Sequence, residues 1–294
     1  MIRARKAVLM RYRFLRFPGG KLKAVTFSYD DGCRADIRLA DILTAHGLKG
    51  TFNINTSAFE VPSKKLQPDE LRASMLDHGH ELAVHGHSHI APGVADPVCA
   101  IYDALNCRRK LESTFSMIIR GMAYPDSGIT RMHNGNSYEN IRGFLSNLGI
   151  IYSRSLSADN NTFHLPEDFL RWIPTAHHKN ANLFPWAESF VAIKDEDLKS
   201  ANRYPRLFYL WGHAYEFDND DNWDRIEQFC DLIGGKEDTW YATNIEICEY
   251  VLAFRSLVTS ADGCRIYNPT LFEIFMDIDG TPHSIKPGET IVVK

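Results

Sequence analysis

The chain has 294 residues, 44% of them hydrophobic and 12% aromatic, with 33 Lys and Arg against 37 Asp and Glu for a formal net charge of -4. That apolar mass fills one large core, and a mildly acidic chain has no electrostatic reason to take nucleic acid or an anionic membrane as partner. No window approaches a transmembrane span. Arg3, Arg5, Lys6, Arg11, Arg13 and Arg16 make the start basic. Arginines interrupt every apolar run there and no small-residue cleavage site follows, so it does not read as a signal peptide. Six cysteines without a Cys-x-x-Cys pair point to reduced thiols. A cytoplasmic protein is expected, or a secreted one if a leader has been removed.

In chain order, apolar strand-like runs alternate with amphipathic helical stretches. Ala24 to Ser28 reads as the first strand and Asp36 to Ala45 as a helix that Gly47 closes. Gly50 to Asn55 is the second strand, and Pro68 opens a helix with acids in its first turn that ends at His78-Gly79. Glu81 to His85 is the third strand, followed by a helix over 96–115, a strand over 118–124, a helix over 138–148 and a strand over 149–153. The rhythm then loosens into a short strand at Trp172-Ile173-Pro174 and a short helix over 195–201. A clear strand from Arg206 to His213 follows, then a helix over 221–233, a strand over 239–243 and a helix over 245–255. Such βα alternation predicts an α/β fold, an irregular (β/α) barrel of seven or eight mostly parallel strands whose polar strand ends converge on one mouth. Residues 1–259 form the barrel domain in this reading. After residue 260, short runs broken by Asn268-Pro269, Asp279-Gly280 and Pro287-Gly288 predict a small C-terminal β appendage packed on it.

Two stretches carry chemistry. In Thr26 to Gly32 an apolar strand ends in the adjacent carboxylates Asp30 and Asp31, which are costly together unless a cation lies between them or one is protonated. An Asp-Gly turn is the plain alternative. Downstream, His85 and His89 stand four apart at the end of another apolar run, a spacing that puts two imidazoles in reach of one cation. Asp31 completes a three-ligand set, leaving coordination positions for water and substrate, as a catalytic site requires. His87 points away.

These motifs, with Gly79-His80-Glu81-Leu82 leading into the histidines, resemble the polysaccharide deacetylase family, the NodB homology domain of carbohydrate esterase family 4. The resemblance implies Asp30 as catalytic base and Asp31, His85 and His89 as metal ligands. Position 86 is Gly where the family has Ser or Thr. Met122-Ala123-Tyr124-Pro125 is similar to a variant third motif, in which Tyr124 lines the site and its backbone N–H stabilises the oxyanion. The arginine of that motif is either Arg120 or Arg154. Asp168-x-x-Arg171-Trp172 partly resembles the fourth motif, with arginine replacing its second aspartate, and Trp172 is either core or a sugar-facing wall. Leu210-Trp211-Gly212-His213 is similar to the fifth motif with one extra residue and implies His213 as general acid. Tyr124, Trp172 and Arg154 are thus the expected substrate-binding residues.

The implied function is a metal-dependent hydrolase that removes N-acetyl groups from an N-acetylated sugar or sugar conjugate. The two-imidazole, one-carboxylate set points to Zn²⁺, with Co²⁺ or Ni²⁺ also suited. A same-fold amidohydrolase acting on a linear or cyclic non-sugar amide would keep the same triad. A non-catalytic carbohydrate-binding protein would need no Asp30 and His213 together.

Overall fold

The computed structural model describes residues 12–60, 65–156 and 160–293. Most of the basic start, residues 1–11, lies outside the described residues. The chain enters through β1 (Arg13–Arg16) and then β2 (Lys23–Asp30), all eight residues of which are buried. β2 is the hub of the sheet. It pairs in parallel with β3 (Gly50–Ile54) on one side and β8 (Arg206–Gly212) on the other. From β3 the sheet runs through β4 (Glu81–Val84), β5 (Gly121–Ala123) and β6 (Tyr152–Arg154), always in parallel.

Trp172 closes the ring. A 3₁₀ turn over Phe169–Arg171 stands in front of the short strand expected at Trp172–Pro174. Trp172 itself bridges in parallel to Arg154, and four residues on, β7 (Ala176–His177) pairs with β8. The segment thus leans on β6 at one end and on β8 at the other. β9 (Thr239–Tyr241) adds a short eighth parallel strand against the start of β2, where β3 has not yet begun. The expected seven or eight parallel strands are present.

Helices α1 (Ala35–Ala45), α2 (Pro68–Ser74), α3 (Pro97–Phe115), α4 (Tyr138–Asn147) and α8 (Asn244–Arg255) fall where the periodicity set them. Three elements differ. α5 (Leu183–Ala192) was hidden by Pro185, which sits in the first turn where its missing N–H costs no helical bond. The helix expected over 195–201 is two 3₁₀ turns, Asp195–Asp197 and Ser200–Asn202. There the Asp195 carboxylate is drawn to Arg16 and Arg203, both at 2.8 Å. The helix expected over 221–233 is α7 (Trp223–Ile233), and the unexpected α6 (Tyr215–Asn219) precedes it, separated from it at Asp221, whose φ is 48°.

The appendage is not purely C-terminal. β10 (Val258–Thr259), β11 (Arg265–Tyr267) and β14 (Thr290–Val292) form one three-stranded sheet, while β12 (Ile274–Ile278) is flanked by β13 (Thr281–Ile285) and by β1 from the other end of the chain. A boundary at 259/260 therefore separates β10 from its partner β11 and leaves β1 with the barrel. Among the described residues no helix is long and apolar enough to cross a membrane.

Candidate active site at the barrel mouth

Register brings the chemistry to one rim. Asp30 is level with Asn53 across β2 and β3, and Tyr29 is level with Gly212 across β2 and β8. The C-terminal ends of the strands therefore open together on a 300 Å³ cavity lined by Asp30, Asp31, His85, His89, Tyr124, Asp126, Leu156, Trp211, His213 and Tyr215. Of the residues expected from the sequence, only Trp172 and Arg154 are missing from that wall.

Asp31, His85 and His89 present ligand atoms within 4.8 Å of one another. His85 Nε2 is 3.9 Å and His89 Nε2 3.6 Å from the same Oδ1 of Asp31. His85 Nδ1 lies 2.9 Å from the carbonyl oxygen of Ala123. That bond requires the proton on Nδ1 and leaves the Nε2 lone pair facing Asp31 and His89, the orientation a metal ligand needs. Burial holds the His85 pKa below its ordinary value, which favours the neutral ligating form. Lys65 Nζ, 3.4 Å from Asp31 Oδ2, takes the other carboxylate oxygen. The donor set fits a divalent cation of the Zn²⁺ class.

The backbone is unusual at two of the three positions. Asp31 has φ 85° and His89 φ 58°, left-handed conformations that non-glycine residues hold only when their surroundings fix them. Gly86, at φ 77°, has no room for a side chain, since a Cβ there would sit 2.2 Å from Asp103 Oδ2. Asp103, on α3, accepts from the Ser88 N–H at 2.6 Å and the Ile90 N–H at 3.3 Å. The acid thus holds the His85–His89 turn, which accounts for glycine at a position where the resembling family has a hydroxyl residue. His87 turns away toward Thr56, 3.0 Å from Nδ1, and His80 is buried beneath α1 against Thr44 and the Gly50 N–H.

Asp30 is 2% exposed. Asn53 donates to its Oδ1 at 2.8 Å and the Arg154 guanidinium binds Oδ2. His85 Nε2 and His213 Nε2 stand 3.7 and 3.9 Å from that oxygen. Burial by itself would raise the Asp30 pKa, but Arg154, His85, His213 and the Asn53 hydrogen bond outweigh it and hold the carboxyl below its usual range. His213 shows the opposite balance. Its burial favours the neutral ring, yet Glu216, Asp30 and Asp31 together raise its pKa above the ordinary value.

The structure corrects three expectations. Arg154 is fully buried and does not face substrate. It lies under the floor, bound to Asp30, with its guanidinium carbon 4.1 Å from the Trp211 ring centroid. Arg120 is on the surface with Glu249, 3.4 Å away. Trp172 is 1% exposed, in edge contact with Phe169, Tyr152 and Tyr209, so it is core rather than a sugar-facing wall. Trp211 and Tyr215 stand on the cavity in its place. Tyr124 does line the cavity, but its backbone N–H donates to the Arg154 carbonyl at 3.0 Å and is not free for an oxyanion. Its hydroxyl donates to the Leu170 carbonyl.

Sequence reasoning missed Asn53 and Glu216. Asn53 sits one strand over from Asp30 and only register reveals it. Glu216 had a weak signal, lying three residues past His213 in the turn that leaves β8.

Residues 18–137, which carry the Asp-Asp-Gly, histidine and Tyr-Pro motifs, match the model of the polysaccharide deacetylase family. Over that stretch the model matches the same family whose motifs the sequence resembles. No curated protein sequence matches the chain significantly. Among solved structures, a protein of the polysaccharide deacetylase type from Mycobacterium smegmatis shares 16% identity and a TM-score of 0.56, covering 84% of this chain and 96% of that one. An allantoinase shares 14% identity and a TM-score of 0.54, covering 79% and 91%. At these identities both show the fold alone. The chain spans 61% of the length of the Streptococcus pyogenes deacetylase PplD, which covers 50% of this chain at 15% identity and a TM-score of 0.42.

Proposed function

We propose that this protein is a metal-dependent deacetylase that removes the acetyl group from the nitrogen of an N-acetylated sugar or sugar conjugate. The observation that carries the reading is the mutual placement of two groups at one rim. Three neutral-or-anionic ligands, Asp31, His85 and His89, converge beside an ionised carboxylate, Asp30, and a histidine with a raised pKa, His213. Amide hydrolysis asks for a Lewis acid, a base and an acid within one reacting volume.

Asp31, His85 and His89 would hold the cation, which when bound supplies the Lewis acidity that polarises water and the acetyl carbonyl. Asp30, kept anionic by Arg154 and Asn53, accepts the proton of the attacking water. His213, whose Nε2 stands 3.9 Å from Asp30 Oδ2, gives its Nε2 proton to the departing nitrogen. Trp211 and Tyr215 offer flat apolar faces for a pyranose ring. The cavity sits at the low end of ligand-site volumes, which favours one sugar unit within the cleft. Six unpaired cysteines support a reducing compartment.

The test pairs metal content with a substrate screen over N-acetylglucosamine oligomers, peptidoglycan fragments and small linear and cyclic amides. Asp31→Ala, His85→Ala and His89→Ala should each lose bound metal and acetate release together, because a two-ligand site rarely keeps a catalytic ion. Stoichiometric metal in the triple variant would remove this triad, and turnover of a cyclic amide alone would move the substrate away from sugars.

A further inference from the structure

The Oε2 atom of Glu216 is the meeting point of three imidazoles. His178 Nε2 is 2.9 Å away, His177 Nε2 3.2 Å and His213 Nδ1 3.8 Å. The protons can be assigned from the other ring atoms. The backbone N–H of Lys179 donates to His177 Nδ1 at 3.1 Å, so that nitrogen is an acceptor and the ring hydrogen sits on His177 Nε2, the atom nearest Glu216. His178 is 1% exposed, stacked on Tyr29 with ring centroids 5.7 Å apart, and burial pushes its pKa down to about 4 despite the carboxylate beside it. A neutral His178 with Nε2 turned toward Glu216 is the form that fits.

Its position depends on a glycine. A Cβ on Gly212 would lie 2.0 Å from His178 Nδ1, so the ring packs on β8 only because residue 212 has no side chain. Gly212 is also the residue that lengthens the Leu-to-His spacing of the strand. Burial alone would raise the Glu216 pKa, but with the His177, His178 and His213 rings beside it the carboxyl is held well below the usual carboxylate range. The carboxylate is therefore a fixed anion.

That anion faces His213 from the side opposite Asp30. His213 presents Nε2 to Asp30 on β2 and Nδ1 to Glu216 on α6, with the His177 ring of β7 at 6.3 Å, Trp211 of β8 at 6.0 Å and Tyr215 at 5.3 Å between centroids. Asp31 adds charge from further off. Arg171, in the motif from which the resembling family draws an aspartate, is instead stacked over Tyr138, and Asp168 binds Tyr138 and Arg142. Neither lines the cavity.

We propose that Glu216, gripped by His177 and His178, is the positioning carboxylate of His213, fixing the ring with Nε2 toward the cleft and Nδ1 protonated toward α6. This rests on the reading of His213 as general acid. On binding, the Nδ1–H would close the 3.8 Å gap to Glu216, as catalytic hydrogen bonds do in going from the free to the substrate-bound state. The histidine doublet then has a role at one remove from the chemistry. It holds the carboxylate that holds the acid.

The experiment compares metal-loaded wild type, E216Q, E216D, H213A and the E216Q/H213A double variant. Substrates are an N-acetylated sugar and an activated aryl acetate whose phenolate leaves without a proton. E216Q should keep its metal and its KM, lose about 10- to 100-fold in kcat on the sugar, and lose little on the activated ester. Its alkaline limb should move to lower pH, and imidazole resonances of His213 should titrate lower as well. E216D should recover part of the loss, and adding E216Q to H213A should cost nothing more. A wild-type kcat and alkaline limb in E216Q, with H213A crippled, would sink the positioning role alone. If H213A itself kept the alkaline limb, the acid assignment would fall and this proposal with it. Should E216Q not fold, H177Q removes one grip from Glu216 and should shift the limb in the same direction by less, an unshifted limb counting against the role.

Discussion

Two tryptophans separate structure from recognition at the scale of single residues. Trp172 is sealed among Phe169, Tyr152 and Tyr209, whereas Trp211 stands on the cavity wall over the Arg154 guanidinium. Trp172→Ala should cost roughly 3–5 kcal/mol of stability, as large-to-small changes of buried aromatics do, and leave KM of the folded fraction unchanged. Trp211→Ala should do the reverse, raising KM with a small change in the urea midpoint. A Trp172→Ala enzyme of wild-type stability with a raised KM would return that ring to the site. Arg154 belongs with Trp172 in being out of reach of substrate, yet it touches the chemistry by keeping Asp30 ionised.

These assignments also mark how far the sequence could be read. Asp30, Asp31, His85 and His89 were legible because a short, local spacing at the end of an apolar strand fixes both their position and their neighbours. Arg154 and Arg120 could not be ranked, since which of two arginines near strand ends turns inward depends on packing against α8 and β8 rather than on spacing. Trp172 had the composition of a sugar platform and the location of a core residue, and composition does not report location. Glu216 had only its spacing from His213 to mark it, because its other partners, His177 and His178, are far from it in sequence.

At the scale of elements, the strand ends do the positioning and the glycines make room. β8 delivers His213 only by leaving the His178 ring the space of a missing side chain at Gly212. Gly212→Ala must displace His178 or bend β8. It should cost about 1–3 kcal/mol, the usual price of overpacking, and lower kcat together with stability. Denaturant midpoints and steady-state rates of the variant check this, and a variant unchanged in both would mean that the ring moves aside freely. The alternation of strands and helices was readable over the first half of the chain, where each βα unit carries its own caps and periodicity. It failed over 172–202, where Pro185 masks α5 and 3₁₀ turns beside the ion pairs of Asp195 stand in place of a helix, and it missed the short α6.

For the whole molecule, closure of the barrel through Trp172 and β7 is what sets His177 and His178 beside the end of β8, and parallel register is what brings Asp30, Asp31 and the histidines to one mouth. The two proposed proton carriers then have opposite electrostatic settings. Asp30, with its pKa held low, should set an acidic limb of kcat/KM below the ordinary carboxylate range, activity being lost as pH falls through that value. His213, with its pKa raised, must be protonated to act, so activity should be lost as pH rises through a value above that of a free histidine.

The most direct measurement is acetate release from an N-acetylglucosamine oligomer by the metal-loaded protein and by its Asp30→Asn variant, with metal content determined on the same samples. The wild type should release acetate along a bell-shaped pH profile, and the variant, whose ligand set is intact, should keep its metal while losing on the order of 10² to 10⁴-fold in rate. An Asp30→Asn protein that retained both its metal and the wild-type rate, or a fully loaded wild type that released no acetate from any N-acetylated substrate, would contradict the account.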